Sequence, residues 1–249
     1  MPYFAPRTLV RRVLPVAALF LGLGLAPASH AAASSGDLTA ALVQAAPAAN
    51  PKVIALATRA LQCVQKAMPA RTLSVIDYSR PSSQPRLWVF DLTHRTLLFK
   101  ELVAHGRNSG NDLATHFSNA PGSLMSSLGT FVTDGTYEGR NGYSLRLKGL
   151  DGRFNDNAES RAIVIHGANY VSPLFAASEG RIGRSWGCPA VRRGVAKSLI
   201  DTIKDRSVVF AYYRDPNWLK QSPTLGDCGS EVTASLDRGE APRRALLSP

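Results

Sequence analysis

The sequence of 249 residues is 45% hydrophobic and 19% charged, with a formal net charge of +11. That supplies apolar material for one substantial domain and excludes a chain disordered throughout. The basic surplus favours an anionic partner: a cell-wall polymer, a membrane surface or nucleic acid.

Export is written into the first residues. Arg7, Arg11 and Arg12 precede an apolar run, Val13 to Ala26, which ends in Pro27 and small residues at Ala28, Ser29 and Ala31 to Ala33. This is the layout of a cleavable signal peptide over residues 1–33. The run is short for spanning a bilayer, so no stable membrane span is expected after cleavage. An exported chain, periplasmic or cell-wall associated, has no use for nucleic acid as a partner. Residues 34–50 are rich in Ala, Ser and Pro and read as a linker. Asn50 and Pro51 then offer an N-cap followed by proline at the first helical position. Ile54, Ala57, Leu61, Val64 and Met68 recur every three or four residues, which predicts a helix over 51–68.

From residue 72 the periodicity changes to strands. Residues 72–78, 86–93 and 96–105 are β-rich, with turn residues Pro81, Ser82, Ser83 and Pro85 between the first two. Residues 128–134 are a further strand. Alternation over 143–148 places Tyr143, Leu145 and Leu147 on one buried face. Residues 161–166 contain Ile163, Val164 and Ile165, apolar on both faces, and read as an interior strand ending at His166. Val195, Leu199 and Ile203, spaced by four, predict a helix over 194–204, and 207–213 is a last strand. The fold class is therefore mainly β, a domain over 51–229 with a helix before it and one near its end. A polar tail over 230–249 reads as disordered. There is no repeat, no phosphate loop and no Cys/His cluster with metal spacing; no metal and no cofactor are expected. Nothing in the sequence signals an oligomeric state.

The run Arg184-Ser185-Trp186-Gly187-Cys188-Pro189 follows a loop containing Gly180 and Gly183 and precedes a helix. A cysteine so placed can be exposed, and backbone N–H groups around a glycine turn can face a developing oxyanion. A thiol is mostly protonated at neutral pH, so a nucleophilic cysteine needs a base or a positive field. His166, on a rigid strand end before Gly167, is the candidate base. Taken singly, a lone His after an apolar strand is more often a structural residue, and a lone Cys a small buried hydrophobe. Three cysteines in an exported chain suggest one disulfide and one free thiol. If Cys188 must stay reactive, Cys63 and Cys228 are left to pair.

His166-Gly167, the intervening residues 168–184, and Ser185-Trp186-Gly187-Cys188 together resemble the active-site signature of YkuD-type L,D-transpeptidases. The wider chain resembles the murein L,D-transpeptidase catalytic domain branch. The similarity runs through Ile76-Asp77-Tyr78-Ser79, the stretch Arg86 to Asp91, Val103 to Gly106, Ser126 to Gly129, Ser144 to Leu147 and Gly183 to Ala190. It implies a β-sandwich of two mixed sheets. It also implies Cys188 as nucleophile, His166 as base and the Gly167 carbonyl as the group orienting the imidazole. The backbone N–H groups of Trp186, Gly187 and Cys188 would form the oxyanion hole. The implied reaction attacks a peptidoglycan stem peptide before its terminal D-Ala, forms a thioester and passes the acyl group to a second stem peptide, giving a 3→3 cross-link. Trp186 stands where most of the wider family has a second histidine, and Pro189-Ala190 where an aliphatic residue and Arg are usual; Arg192 or Arg193 would have to replace that cation. Ser185, Arg184, Tyr137, Asn141 and the second His-Gly pair at His105 are weaker substrate-binding candidates.

Two other classes compete. A wall-binding module without catalysis would keep the basic surface but gives no reason for His166 and Cys188 in register. Papain-like endopeptidases place Cys before His, the reverse of this order, and sortases separate His from Cys much further. Water as acceptor would make the same site an L,D-carboxypeptidase.

Overall fold

The structure is a computed structural model; it describes residues 1–4, 35–229, Val232 and Leu236. The chain falls into two units, Met1–Ala32 and Ala33–Pro249. Of the first, only the exposed residues 1–4 are described, so the expected signal peptide lies almost wholly outside the described residues. Among those residues no helix is long and apolar enough to cross a membrane.

Two helices open the second unit. The first, α1 (Ser35–Ala45), replaces the expected linker. Its composition imitates a linker, but Leu38, Leu42 and Ala46 share one helical face, and Leu42 and Ala46 are buried. Asp37 in its first turn faces the positive helix end and pairs with Arg95 at 2.8 Å. The second, α2 (Pro51–Gln65), starts where Asn50 accepts the Lys52 N–H at 3.0 Å, a cap contributing about 1 kcal/mol. It buries Val53, Ile54, Ala57, Leu61 and Val64.

Among the described residues eight strands follow: β1 (Thr72–Asp77), β2 (Leu87–Asp91), β3 (Thr96–Glu101), β4 (Gly129–Gly139), β5 (Gly142–Gly149), β6 (Val164–Ala168), β7 (Ala190–Arg192) and β8 (Val208–Tyr212). They form one mixed sheet ordered β3-β2-β1-β8-β4-β5-β6-β7, with β1–β8 and β6–β7 parallel. The architecture is mainly β. The two expected sheets are parts of this single ladder, which curves until its edges approach: Val103 bridges Val191, and Arg192 grips Glu101 through bonds of 2.7 and 2.6 Å. Closure of this kind removes two exposed edges. Every residue of β1 is buried, as an interior strand requires, while β3 alternates exposed and half-buried along the edge packed against α1.

Three further α-helices among the described residues were not all legible. The helix α4 (Arg193–Ile203) matches the apolar spacing and buries Leu199, Ile200 and Ile203. The short α3 (Pro173–Glu179) and α5 (Pro216–Gln221) each begin with a capping Ser or Asp followed by Pro. Behind α5, buried Asp151 accepts from Thr130 N, Trp218 Nε1, Ser222 Oγ and Thr224 Oγ1, tying the C-terminal segment to β4. Cys63 is joined to Cys228 across 165 residues, a cross-link that the chain-entropy picture values at about 5 kcal/mol. Of the segment expected as a disordered tail, Val232 is buried in the main core and Leu236 packs against it, and the rest lies outside the described residues.

Candidate active site

Parallel pairing of β6 with β7 assembles the site. The register sets His166 opposite Ala190 and Gly167 opposite Val191. Cys188 lies two residues before β7, beside the start of β6 at Val164. The Val164 N–H accordingly donates to Cys188 Sγ at 3.5 Å, and the thiol donates to the Ala162 carbonyl at 3.6 Å. Ala162 holds φ at 53°, a left-handed conformation costing an L-residue roughly 1–2 kcal/mol. That turn is also why β6 begins at Val164 and not at Arg161 as the apolar run suggested. His166 Nδ1 lies 3.1 Å from the Gly167 carbonyl. A carbonyl only accepts, so Nδ1 carries the hydrogen and Nε2 keeps the lone pair a base needs.

His166 and Cys188 line one cleft of about 350 Å³ together with Tyr137, Asn141, Arg184, Ser185 and Trp186. Burial pushes the Cys188 thiol above its ordinary value, against the Val164 N–H and the charge of Arg161, which pull it down. Burial pushes His166 below the usual imidazole range, opposed by the Gly167 carbonyl and reinforced by Arg193. Both shifts favour uncharged partners at rest: a thiol and a neutral imidazole, each able to change state when a substrate carbonyl arrives.

The active-site loop is tied to the stretch after β3. Ser185 N donates to His105 O at 2.9 Å and Arg107 N to Ser185 O at 2.7 Å. The Ser185 hydroxyl donates to the Cys188 carbonyl at 2.6 Å and accepts the Gly187 N–H at 3.1 Å. That last bond corrects the expected oxyanion hole, because the Gly187 N–H is spent inside the loop. Arg184 donates to the carbonyls of Arg107 and Gly110 and still borders the cleft. Trp186 is 64% exposed beside Cys188, with the Arg140 guanidinium 5.9 Å from its ring centroid. His105 does not line the cleft. It is fully buried, its Nδ1 accepting from Arg86 at 2.7 Å, and a buried aromatic side chain with a cationic donor is a packing element. Arg192 is committed to Glu101 and is no substitute for the missing family arginine.

The model of the L,D-transpeptidase catalytic domain matches residues 45–212 of this sequence. The chain belongs to that family. None of the curated proteins matches it. Among solved structures, an L,D-transpeptidase from Mycobacterium smegmatis is similar at 14% identity and a TM-score of 0.37, over 58% of this chain and 59% of that one. One from Stackebrandtia nassauensis is similar at 14% identity and a TM-score of 0.36, over 73% of this chain and 92% of that one. This chain thus spans about three fifths of the mycobacterial chain's length. At these scores the family match, not the structural likeness, carries the assignment.

Within this L,D-transpeptidase domain, Gly167 has a reason that the sequence did not show. It lies inside β6, so the chain does not turn there; a Cβ would meet Ala196 Cβ at 2.8 Å, and its absence lets α4 close on the strand. Besides Ala162, two polar cleft residues escaped sequence reading. Tyr170 borders the site with its hydroxyl pushed up to about 12, first by burial and then by the nearby cysteine. Arg161 borders it too, and its guanidinium is fixed by Ser118 O, Ser127 Oγ, Ser123 Oγ and Met125 O. The available signal was a cation at the head of the apolar run that leads to His166.

Proposed function

We propose that this domain is a cysteine-dependent L,D-transpeptidase acting on peptidoglycan stem peptides. The observation that carries the reading is the juxtaposition, in one cleft, of Cys188 with a histidine whose Nδ1 is held by the Gly167 carbonyl. The family match supports the reaction class. Arg140, Arg161 and Arg184 border the cleft and, among the described residues, no carboxylate does, which suits a donor peptide carrying free carboxylates.

His166 Nε2 takes the thiol proton as Cys188 Sγ attacks the carbonyl preceding the terminal D-Ala. The tetrahedral oxyanion is met by backbone N–H groups of the loop. Collapse breaks the peptide bond, the imidazolium returns its proton to the leaving amine of D-Ala, and a thioester remains on Cys188. The side-chain amine of a second stem peptide attacks the thioester and gives its proton to His166, the thiol is restored, and the product is a 3→3 cross-link. The energy of the cleaved peptide bond is conserved in the thioester. Residues 1–33 act as the leader that exports the chain to the periplasm or cell wall, where its basic surplus faces an anionic polymer.

The test incubates the purified chain and its Cys188→Ala variant with disaccharide-tetrapeptide and identifies products by mass spectrometry. The expected product is a dimer lacking one D-Ala, formed only by the unsubstituted chain. Monomeric tripeptide without dimer would make water the acceptor and the enzyme a carboxypeptidase. An unchanged substrate, together with a slowly alkylated Cys188, would identify a wall-binding module.

A further inference from the structure

We propose that Ser126 is a positioning residue: its hydroxyl holds the Gly187–Cys188 peptide so that the Cys188 N–H faces the reacting carbonyl and serves as the oxyanion donor. The inference rests on the acyl-transfer reading above.

Ser126 lies between β3 and β4, is 1% exposed and has no place among the groups that exchange protons. Its hydroxyl donates to the Gly187 carbonyl at 3.0 Å and accepts the Gly106 N–H at 3.0 Å. Its own backbone is held on both sides, the N–H by Ser109 Oγ at 2.9 Å and the carbonyl by Ser118 N at 3.0 Å. The hydroxyl is therefore a fixed point, and it fixes a peptide plane. In a trans peptide the C=O and the following N–H point to opposite sides. Drawing the Gly187 oxygen toward Ser126 turns the Cys188 N–H the other way, and that N–H is among the groups that favour a charge on the cysteine sulfur.

The hold is needed because the residue concerned is glycine. Gly187 sits at φ +126°, where a Cβ would meet Met125 O at 2.8 Å and Ile163 Cδ1 at 3.0 Å. Glycine is admitted there, but it brings little preference of its own for one orientation of the next peptide. The Gly187 N–H cannot substitute as a donor, since Ser185 Oγ already takes it. Removing Ser126's hydroxyl leaves a buried carbonyl unpaired, and rotation of the 187–188 peptide is the simplest way for that carbonyl to find another donor.

The test compares the unsubstituted chain with Ser126→Ala and Ser126→Thr in two reactions of the same sulfur. Acyl transfer from disaccharide-tetrapeptide needs the oxyanion donor; alkylation by iodoacetamide, a displacement at saturated carbon, does not. For Ser126→Ala we expect kcat to fall about 10- to 100-fold with KM within about twofold, somewhat less than outright loss of a donor costs. Its alkylation rate should stay within about twofold of the unsubstituted chain. Ser126→Thr, which keeps the hydroxyl, should recover most of the kcat and guards against a folding defect being read as a catalytic one. An unchanged kcat in Ser126→Ala, or kcat and alkylation falling together in both variants, would overturn the role of Ser126 and leave the acyl-transfer reading standing. An unsubstituted chain that alkylates but forms no thioester would overturn the acyl-transfer reading and this inference with it.

Discussion

The chain holds two His-Gly pairs, His105-Gly106 and His166-Gly167, and the two imidazoles are held in opposite tautomers. Arg86 can only donate, so the Nδ1 that it contacts at 2.7 Å in His105 must carry the lone pair, and the remaining Nε2–H points toward Gly110 O at 3.4 Å. The Gly167 carbonyl can only accept, so in His166 the lone pair is on Nε2, within the cleft that holds Cys188. Burial and then the Arg86 charge push His105 down to about 3, which keeps it neutral under any physiological condition. One histidine has spent its basicity on the fold and the other has it available for chemistry. The dipeptide is the same, and the partner of Nδ1 decides which nitrogen keeps the lone pair.

Breaking each ring separately gives the largest contrast. His166→Ala should lower kcat/KM for stem-peptide transfer by about 10²- to 10⁴-fold, the usual worth of a positioned general base, with little change in thermal unfolding. His105→Ala should instead cost about 1–3 kcal/mol in denaturant unfolding, because a buried Arg86 donor loses its acceptor. The same variant should alkylate Cys188 at close to the normal rate. The partner glycines should differ in the same sense but less. Gly106→Ala drives a Cβ into the Leu124 carbonyl oxygen, and rigid backbone must move, for about 2–3 kcal/mol. Gly167→Ala meets Ala196 Cβ at 2.8 Å on a helix that can shift, for about 1 kcal/mol.

Acid sharpens the comparison further. Both histidines have folded values below the ordinary 6.5, so the unfolded chain binds more protons and stability must fall as pH drops below that value. For His105 the loss continues down to about 3, and His105→Gln should flatten that part of a pH series of unfolding midpoints. His166 should report in kinetics instead: kcat/KM should stay level through neutrality and decline only below the ordinary histidine range. The smallest stability effect belongs to Trp186→Ala. An indole 64% exposed should contribute under about 0.5 kcal/mol to folding, and its removal should show in KM.

Much of this was legible because the relevant signals are local. The apolar period of α2, the alternation of β5 and the β-rich run of β8 each lie within one element, and each element stands within a few residues of its predicted place. Cys188 and His166 stood out as candidates because acyl transfer needs particular side chains at a particular separation, and both line one cleft. What escaped was decided by distant partners. Helix α1 looked like a linker because its burial of Leu42 depends on packing against α2 and β3, as its Thr39–Thr58 contact and its neighbours show. The closing of the sheet rests on Arg192 reaching Glu101 across 91 positions. Gly187's N–H looked free until Ser185's hydroxyl was placed, and Arg161 looked like an ordinary strand start until four partners from the 118–127 stretch gathered around it.

The central claim is that Cys188 forms a thioester with His166 as its base, and intact-protein mass spectrometry tests it most directly. The chain and its Cys188→Ala and His166→Ala variants would be mixed with disaccharide-tetrapeptide and quenched in acid within the first turnovers. The expected result is an adduct equal to the substrate less D-Ala, located on Cys188, absent from Cys188→Ala and much slower to form in His166→Ala. An adduct that survives in Cys188→Ala, or product formed with no adduct dependence on Cys188 at all, would contradict it.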